Sequence, residues 1–310
     1  MALSLFNILI FPGFLFLGVY SLAFEYIDRI IYARMQNRQG PPWFQPLADF
    51  LKLVGKETII PEDADKNIFK ALPIFAMAAV TAAFLYVPIT GVNSLFPFEG
   101  DLIVVLYLLT IPTLTFFLAG WMSSSLYSTI GAVRAMTQLF SYEVPLFMAL
   151  LAPAILAGTW SLSGIAAYYH ANPLWILVNI PAFLVAIVAI QGKLERLPFD
   201  MPEAETELCA GTFTEYSGRL LAIFRMAIDA ELVVVAAIVA AVFFPIFVAN
   251  AWLGFLIFVI KTLVVAFILA IFRSVMARIR IEQMVIFCWK YLTPVALLQI
   301  VINIVIKGVL

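Results

Sequence analysis

Long apolar runs, broken by short polar connections, set the pattern of this chain. Apolar stretches at residues 3–24, 69–91, 102–121, 142–158, 173–192, 220–244, 252–272 and 289–306 alternate with segments that carry most of the charge. A helix of about 17–25 apolar residues can cross a hydrocarbon core ~30 Å thick. The short alternating strands of a membrane barrel are missing, so the runs predict helices, which pair every backbone group within the segment. The expectation is an all-α membrane protein of eight transmembrane helices forming one integral membrane domain, 1–310. The first run has no basic stretch ahead of it and is read as a retained span rather than a cleaved signal.

The first connection has a periodicity of its own. Trp43, Phe44, Leu47, Phe50, Leu51 and Val54 recur at helical spacing, while Asp49, Lys52 and Lys56 take other positions. This predicts a short interfacial helix, or a connector helix packed on protein, between the breakers Pro41-Pro42 and Pro61.

Basic residues then orient the spans. The first connection holds Arg29, Arg34, Arg38, Lys52, Lys56, Lys66 and Lys70. The third holds Arg134, the fifth Lys193, Arg196 and Arg219, and the seventh Arg273, Arg278, Arg280 and Lys290; the second, fourth and sixth hold none. The positive-inside rule puts loops 25–68, 122–141, 193–219 and 273–288 in the cytoplasm and both termini outside.

Composition narrows the function. Hydrophobic residues make up 64% of the chain and mean hydropathy is +1.06, more apolar surface than a soluble domain could hide. One histidine and two distant cysteines cannot hold an iron–sulfur cluster or a bis-histidine haem. Any redox chemistry belongs to partner subunits. No metal site or nucleic-acid contact is expected, and His170, Cys209 and Cys288 are read as structural.

Charges beside spans are costly and tend to be functional. Only 12% of residues are charged, yet Asp200, Glu203, Glu205, Glu207 and Glu215 crowd one connection. Asp200 is placed to cap a helix beginning at Met201, with Glu203 and Glu207 stacked at i, i+4. Such a row reads as a proton relay, or else as a solvated acidic loop that docks a basic partner. Glu143 opens the fourth span, either as a dipole-favoured carboxylate or as a buried protonatable group, with Arg134 earlier on the same helix. In the sixth span Arg225 and Asp229 can pair at i, i+4, and Glu231 has no local partner. Lys261 either snorkels or meets an acid from another helix. Glu25, Asp28 and Arg29 read first as a solvated flank of the first span.

The motifs EYIDRIIYARMQNRQGP, LADFLKLVGKE, GAVRAMTQLFSYEV, PFDMPEAETEL, TEYSG and FRSVMARIRIEQ…WK follow the order seen in the H-subunit (subunit 1) family of respiratory complex I, which the whole chain resembles. The resemblance implies a heel subunit joining a redox arm to an ion-pumping membrane arm. It implies a proton path through Glu143, Glu203, Glu205, Glu207 and Glu215, to which the residue reading adds Asp229 and Glu231. Arg34, Arg38, Asp49, Lys52, Arg134, Arg196, Phe199 and Asp200 match cavity-side or arm-contacting positions. After QNRQGP the chain passes at once to PPWFQPLAD, a shortened form that resembles the H-like subunits of group 4 membrane-bound [NiFe] hydrogenases and sulfane reductases.

The expected function is a membrane anchor and coupling subunit in the cell membrane. Its partners would be hydrogenase-like small and large subunits with iron–sulfur clusters and, in the hydrogenase type, a [NiFe] centre, together with antiporter-like subunits. The alternatives are a quinone or methanophenazine site, a stand-alone ion transporter, and a purely structural anchor.

Overall fold

The computed structural model describes residues 2–248 and 250–309, apart from the side chains of residues 2–4, 205 and 206. The described residues form helices and turns, with no strand among them.

The first apolar run is two helices, α1 (Ala2–Leu9) and α2 (Phe14–Met35). Pro12 interrupts it, because proline offers no N–H and disfavours helix at the residue before it. The expected helix of the first connection is α3 (Gln45–Gly55). It packs on α2 and on the later helix Gly218–Phe243, while Trp43, Phe44, Leu47 and Leu51 remain exposed. Asp65 accepts hydrogen bonds from the backbone of Asn67 and Ile68 and so starts α4 (Lys66–Leu85). Then come α5 (Asp101–Trp121) and the 32-residue α6 (Leu126–Ala157).

Helix α6 takes in most of the segment 122–141, which the sequence marks as loop. Its polar residues do not stop it. The hydroxyls of Thr129, Thr137 and Ser141 bond carbonyls four residues back and satisfy themselves along the helix. The fourth connection, also expected as loop, contains α7 (Leu162–Ala171). The fifth run is split at Asn179 into α8 (Trp175–Val178) and α9 (Ile180–Lys193).

After α9 come the single turn α10 (Glu205–Leu208), a 3₁₀ turn at Gly211–Phe213, α11 (Gly218–Phe243) and α12 (Ala251–Val275). The last helix begins well before residue 289, as α13 (Ile281–Phe287), a π turn Cys288–Leu292 and α14 (Thr293–Val309). The π turn lets the chain pass Pro294, whose ring would clash in a regular helix.

Seven helical segments among the described residues are long and apolar enough to cross a membrane; α9 is apolar but shorter. Helix α11 is the centre: 83% of its most apolar window is buried, against 22% for the segment Ile281–Val309, and it packs on α2, α3, α4 and α12. That explains why α11 is apolar nearly all round. On the other side α6 packs on α5, α9 and α14. Buried amides there tie helices together: Asn303 donates to Ala152 O at 2.7 Å and to Asn179 Oδ1 at 2.8 Å.

Candidate functional site

The site begins where α9 ends. Arg196 N–H bonds Gln191 O, Glu195 N–H bonds Gly192 O, and Glu195 takes φ +50°. This is the closing turn that usually carries glycine, and a glutamate there costs about 1–2 kcal/mol of backbone strain. The turn is held to α6 by Gln138, whose amide donates to Gly192 O at 2.6 Å and Phe199 O at 2.8 Å. Glu195 and Arg196 are thereby driven inward.

Arg196 enters an ionic cluster. Its Nη1 is 3.0 Å from Asp28 Oδ2, and Arg273 Nη1 approaches the same oxygen at 3.2 Å. Arg29 bridges Glu25 at 2.7 Å and Asp49 at 2.9 Å. Asp28 has no exposure and Glu25 only 8%. The flank that the sequence suggests is solvated is therefore buried, since Arg196 and Arg273 supply the counter-charges that water would otherwise provide. Burial opposes the charge of Arg196, but Asp28 and Glu25 outweigh it and hold the guanidinium above its ordinary value.

Cavities run inward from this cluster. One of about 250 Å³ is lined by Glu25, Arg29, Asp49, Arg225 and Asp229 among others. A second, of about 400 Å³, is lined by Glu195, Arg196, Asp200, Glu203, Asp229 and Arg273 among others. A third, of about 30 Å³, has Lys193, Glu195, Glu203 and Glu231 in its wall. A fourth, of about 10 Å³, has Tyr142, Glu143 and Lys193 in its wall. Glu195 is the half-buried acid at the centre. Burial, then Glu203, Glu231 and Asp200, push its carboxyl well above the usual carboxylate range.

The predicted residues divide. Glu203, Asp200, Asp229 and Glu231 line these cavities, and Glu143 ends the line. The helix expected from Met201 does not form, so there is no helix start at Met201 for Asp200 to cap, and Glu203 and Glu207 do not stack along one. Instead Glu203 meets Arg225 at 3.0 Å, which replaces the expected Arg225–Asp229 pair. Glu207 meets Arg134 at 2.6 Å beside a separate cavity that Arg278 and Arg280 also line. The hydrogen bond from Arg134 holds the Glu207 carboxyl below its ordinary value. Glu215 is half-buried and lines none of these five cavities. The side chain of Glu205 lies outside the described residues.

Of the arm-contact candidates, Asp49 and Arg196 join the cluster, whereas Arg34, Arg38 and Lys52 are exposed on the surface. Phe199 is 2% exposed. Lys261 neither snorkels nor meets an acid among the described residues; its ammonium lies 4.1 Å from the centre of the Phe247 ring. Cys288 is buried and His170 bonds Pro245 O at 3.1 Å, as structural residues do, but Cys209 is exposed.

Sequence reasoning passed over Lys193. Read as a loop cation, it is the last residue of α9, 3% exposed, with Nζ 2.7 Å from Glu231 Oε1. Glu195, Asp28 and Arg273 were missed in the same way. The available signal was their position, since each adjoins an apolar span where a charge needs a partner.

A bundle with, among the described residues, seven membrane-length apolar helices and an interior of paired charges is a multi-pass membrane protein. Residues 6–304 match the family described as NADH dehydrogenase, and the chain belongs to that family. The NADH-quinone oxidoreductase H-subunit from Dehalococcoides mccartyi (strain CBDB1) is 33% identical over 302 residues, 94% of this chain and 83% of that protein. The corresponding H-subunit from Brevibacillus brevis (strain 47) is 36% identical over 298 residues, covering 91% and 87%. A chain from the membrane-bound sulfane sulfur reductase, an archaeal respiratory membrane complex, matches with TM-score 0.84 at 26% identity, over 98% of this chain and 100% of that one. The resemblance carried by SYEV, PFDMPEAETEL and EYSG is borne out along nearly the whole chain.

Proposed function

We propose that this chain is the membrane anchor and coupling subunit of a complex I-related respiratory complex, of the hydrogenase or sulfane-reductase type. Redox chemistry in a peripheral arm shifts charge near the Asp28–Arg196 cluster, and buried carboxylates carry the response toward antiporter-like neighbours as H⁺ or Na⁺ translocation. Hydrogenase-like small and large subunits supply the iron–sulfur clusters and any [NiFe] centre. The carrying observation is the line of cavities in which Glu203, Glu195, Glu231 and Glu143 follow one another.

The charged lining supports a water path over a quinone or methanophenazine site. Phe199, the aromatic such a site would use, is buried and lines none of those cavities. In the assembled complex, Glu143→Gln and Glu231→Gln are expected to keep electron transfer and lose ion translocation. Normal pumping by both variants would remove the reading.

The layout we propose is a single domain of eight crossings, with α8 and α9 together as the fifth, both termini outside, and the basic connections facing the cytoplasm of a cell membrane. Exposed Cys209 tests it. A membrane-impermeant maleimide should label Cys209 in inside-out vesicles of cells expressing the chain; labelling only in right-side-out vesicles would reverse the orientation.

A further inference from the structure

We propose that Lys193 is a proton-carrying gate between Glu231 and Glu143, an inference that rests on the coupling reading above. Among the described residues, Lys193 alone lines both the cavity of about 30 Å³ on the Glu195–Glu231 side and the cavity of about 10 Å³ at Glu143. A cavity needs roughly 10–15 Å³ of such space to hold one water. The inner cavity therefore has room for about one water and the outer for about two or three. Apart from Lys193, Glu143, Thr110 and Tyr142, the inner wall is apolar, and the Tyr142 hydroxyl is engaged with Thr113 at 3.1 Å. A proton that passes from the acids of the outer cavity to Glu143 meets the ammonium of Lys193 first.

The geometry suits a carrier rather than a fixed brace. Nζ pairs with Glu231 Oε1 at 2.7 Å, donates to Leu109 O, and lies 5.9 Å from the centre of the Tyr142 ring. The groups facing it are Glu231 from α11, Glu143 and Tyr142 from α6, and Glu195, Glu203 and Arg225 across the outer cavity. Lysine is a compact charge on a flexible stem and can give up its proton when buried; arginine cannot.

The cycle balances. A proton reaching Glu231 from the Glu195 side neutralises that carboxylate, and Lys193 loses its counter-ion. The ammonium then gives one proton through one water to the Glu143 carboxylate, leaving a neutral amine and a neutral carboxyl. Glu231 returns its proton to the amine, and the original ion pair re-forms with one proton moved.

The test uses the intact complex in liposomes and compares Lys193→Arg, Lys193→Met and the neutral pair Lys193→Met with Glu231→Gln. Each is read for assembly, electron-transfer rate and ions moved per electron pair. Lys193→Arg keeps the pair with Glu231 but cannot release a proton. It should assemble, transfer electrons, and lose translocation at least tenfold. The neutral pair leaves no uncompensated charge and should assemble better than Lys193→Met alone, again without translocation. Wild-type ion-to-electron ratios in Lys193→Arg, with translocation abolished by Glu143→Gln and by Glu231→Gln, would overturn the gate and leave the relay standing; wild-type ratios in the neutral pair would overturn the gate and take Glu231 out of the path with it. Normal ratios in every variant, Glu143→Gln included, would remove the coupling reading itself.

Discussion

Arg196 Nη1 lies 3.0 Å from Asp28 Oδ2, and Arg273 reaches the same oxygen at 3.2 Å. One solvent-free carboxylate thus gathers guanidinium groups from the turn after α9 and from α12, and fixes three distant parts of the chain around the cavities.

Asp28→Asn should therefore be severely destabilising. It leaves two partly buried guanidinium groups on a neutral, buried oxygen, and breaking a buried pair from one side costs up to about 3–5 kcal/mol. Thermal unfolding in detergent and the yield of assembled complex measure it. Wild-type melting would mean that the cluster contributes nothing to stability.

Glu195 gives a pH signature. Its carboxyl titrates well above the carboxylate range in the folded protein, so between its ordinary value and that raised value the folded state binds more protons than the unfolded one. The stability it contributes is present in acid and is lost as pH rises through the raised value. Glu195→Gln removes this loss. The variant's melting temperature, plotted against pH, should gain on wild type toward alkaline pH; parallel curves would refute the assignment.

Glu207 and Glu143 should behave oppositely. Glu207 is 53% exposed at its side chain, and its pair with Arg134 is open to solvent and salt. Glu207→Gln should cost less than about 1 kcal/mol, an effect present at neutral pH and absent in acid, where the depressed carboxyl finally protonates. Ion translocation should survive Glu207→Gln and fail with Glu143→Gln. Loss of translocation in both would return Glu207 to the proton path.

Gly218, the glycine of EYSG, has φ +59°, and a Cβ there would lie 2.7 Å from Glu57 O and 2.8 Å from Lys56 O. Backbone cannot move aside as a side chain can. Gly218→Ala should cost about 2–4 kcal/mol, from left-handed strain plus overpacking. Its melting temperature should fall, while Gly308→Ala, which meets nothing within 4 Å, should stay near wild type.

Much of this architecture was legible beforehand. The apolar runs located every long helix, because a span needs a certain length of apolar residues whatever its neighbours are. The periodicity of Trp43 to Val54 likewise marked α3, and the motifs around Glu143 and Phe199 marked the family. Helix ends were less legible: Thr129, Thr137 and Ser141 look like loop residues until their hydroxyls are seen bonded along α6.

The site was half legible for the same kind of reason. Acids announce themselves in an apolar chain, so Glu143, Glu203, Asp229 and Glu231 stood out by type and place. Their partners did not, because a charge pair is a long-range contact: Asp28 with Arg196 and Arg273, and Lys193 with Glu231, join residues that no local spacing relates. The order of residues alone dictates the helical membrane class and the supply of ionisable groups, since both follow from the cost of polar groups in hydrocarbon. Which charges neutralise one another, and which share a cavity, is settled by the packing of the helices, since it depends on distances of a few ångströms between segments far apart in the chain.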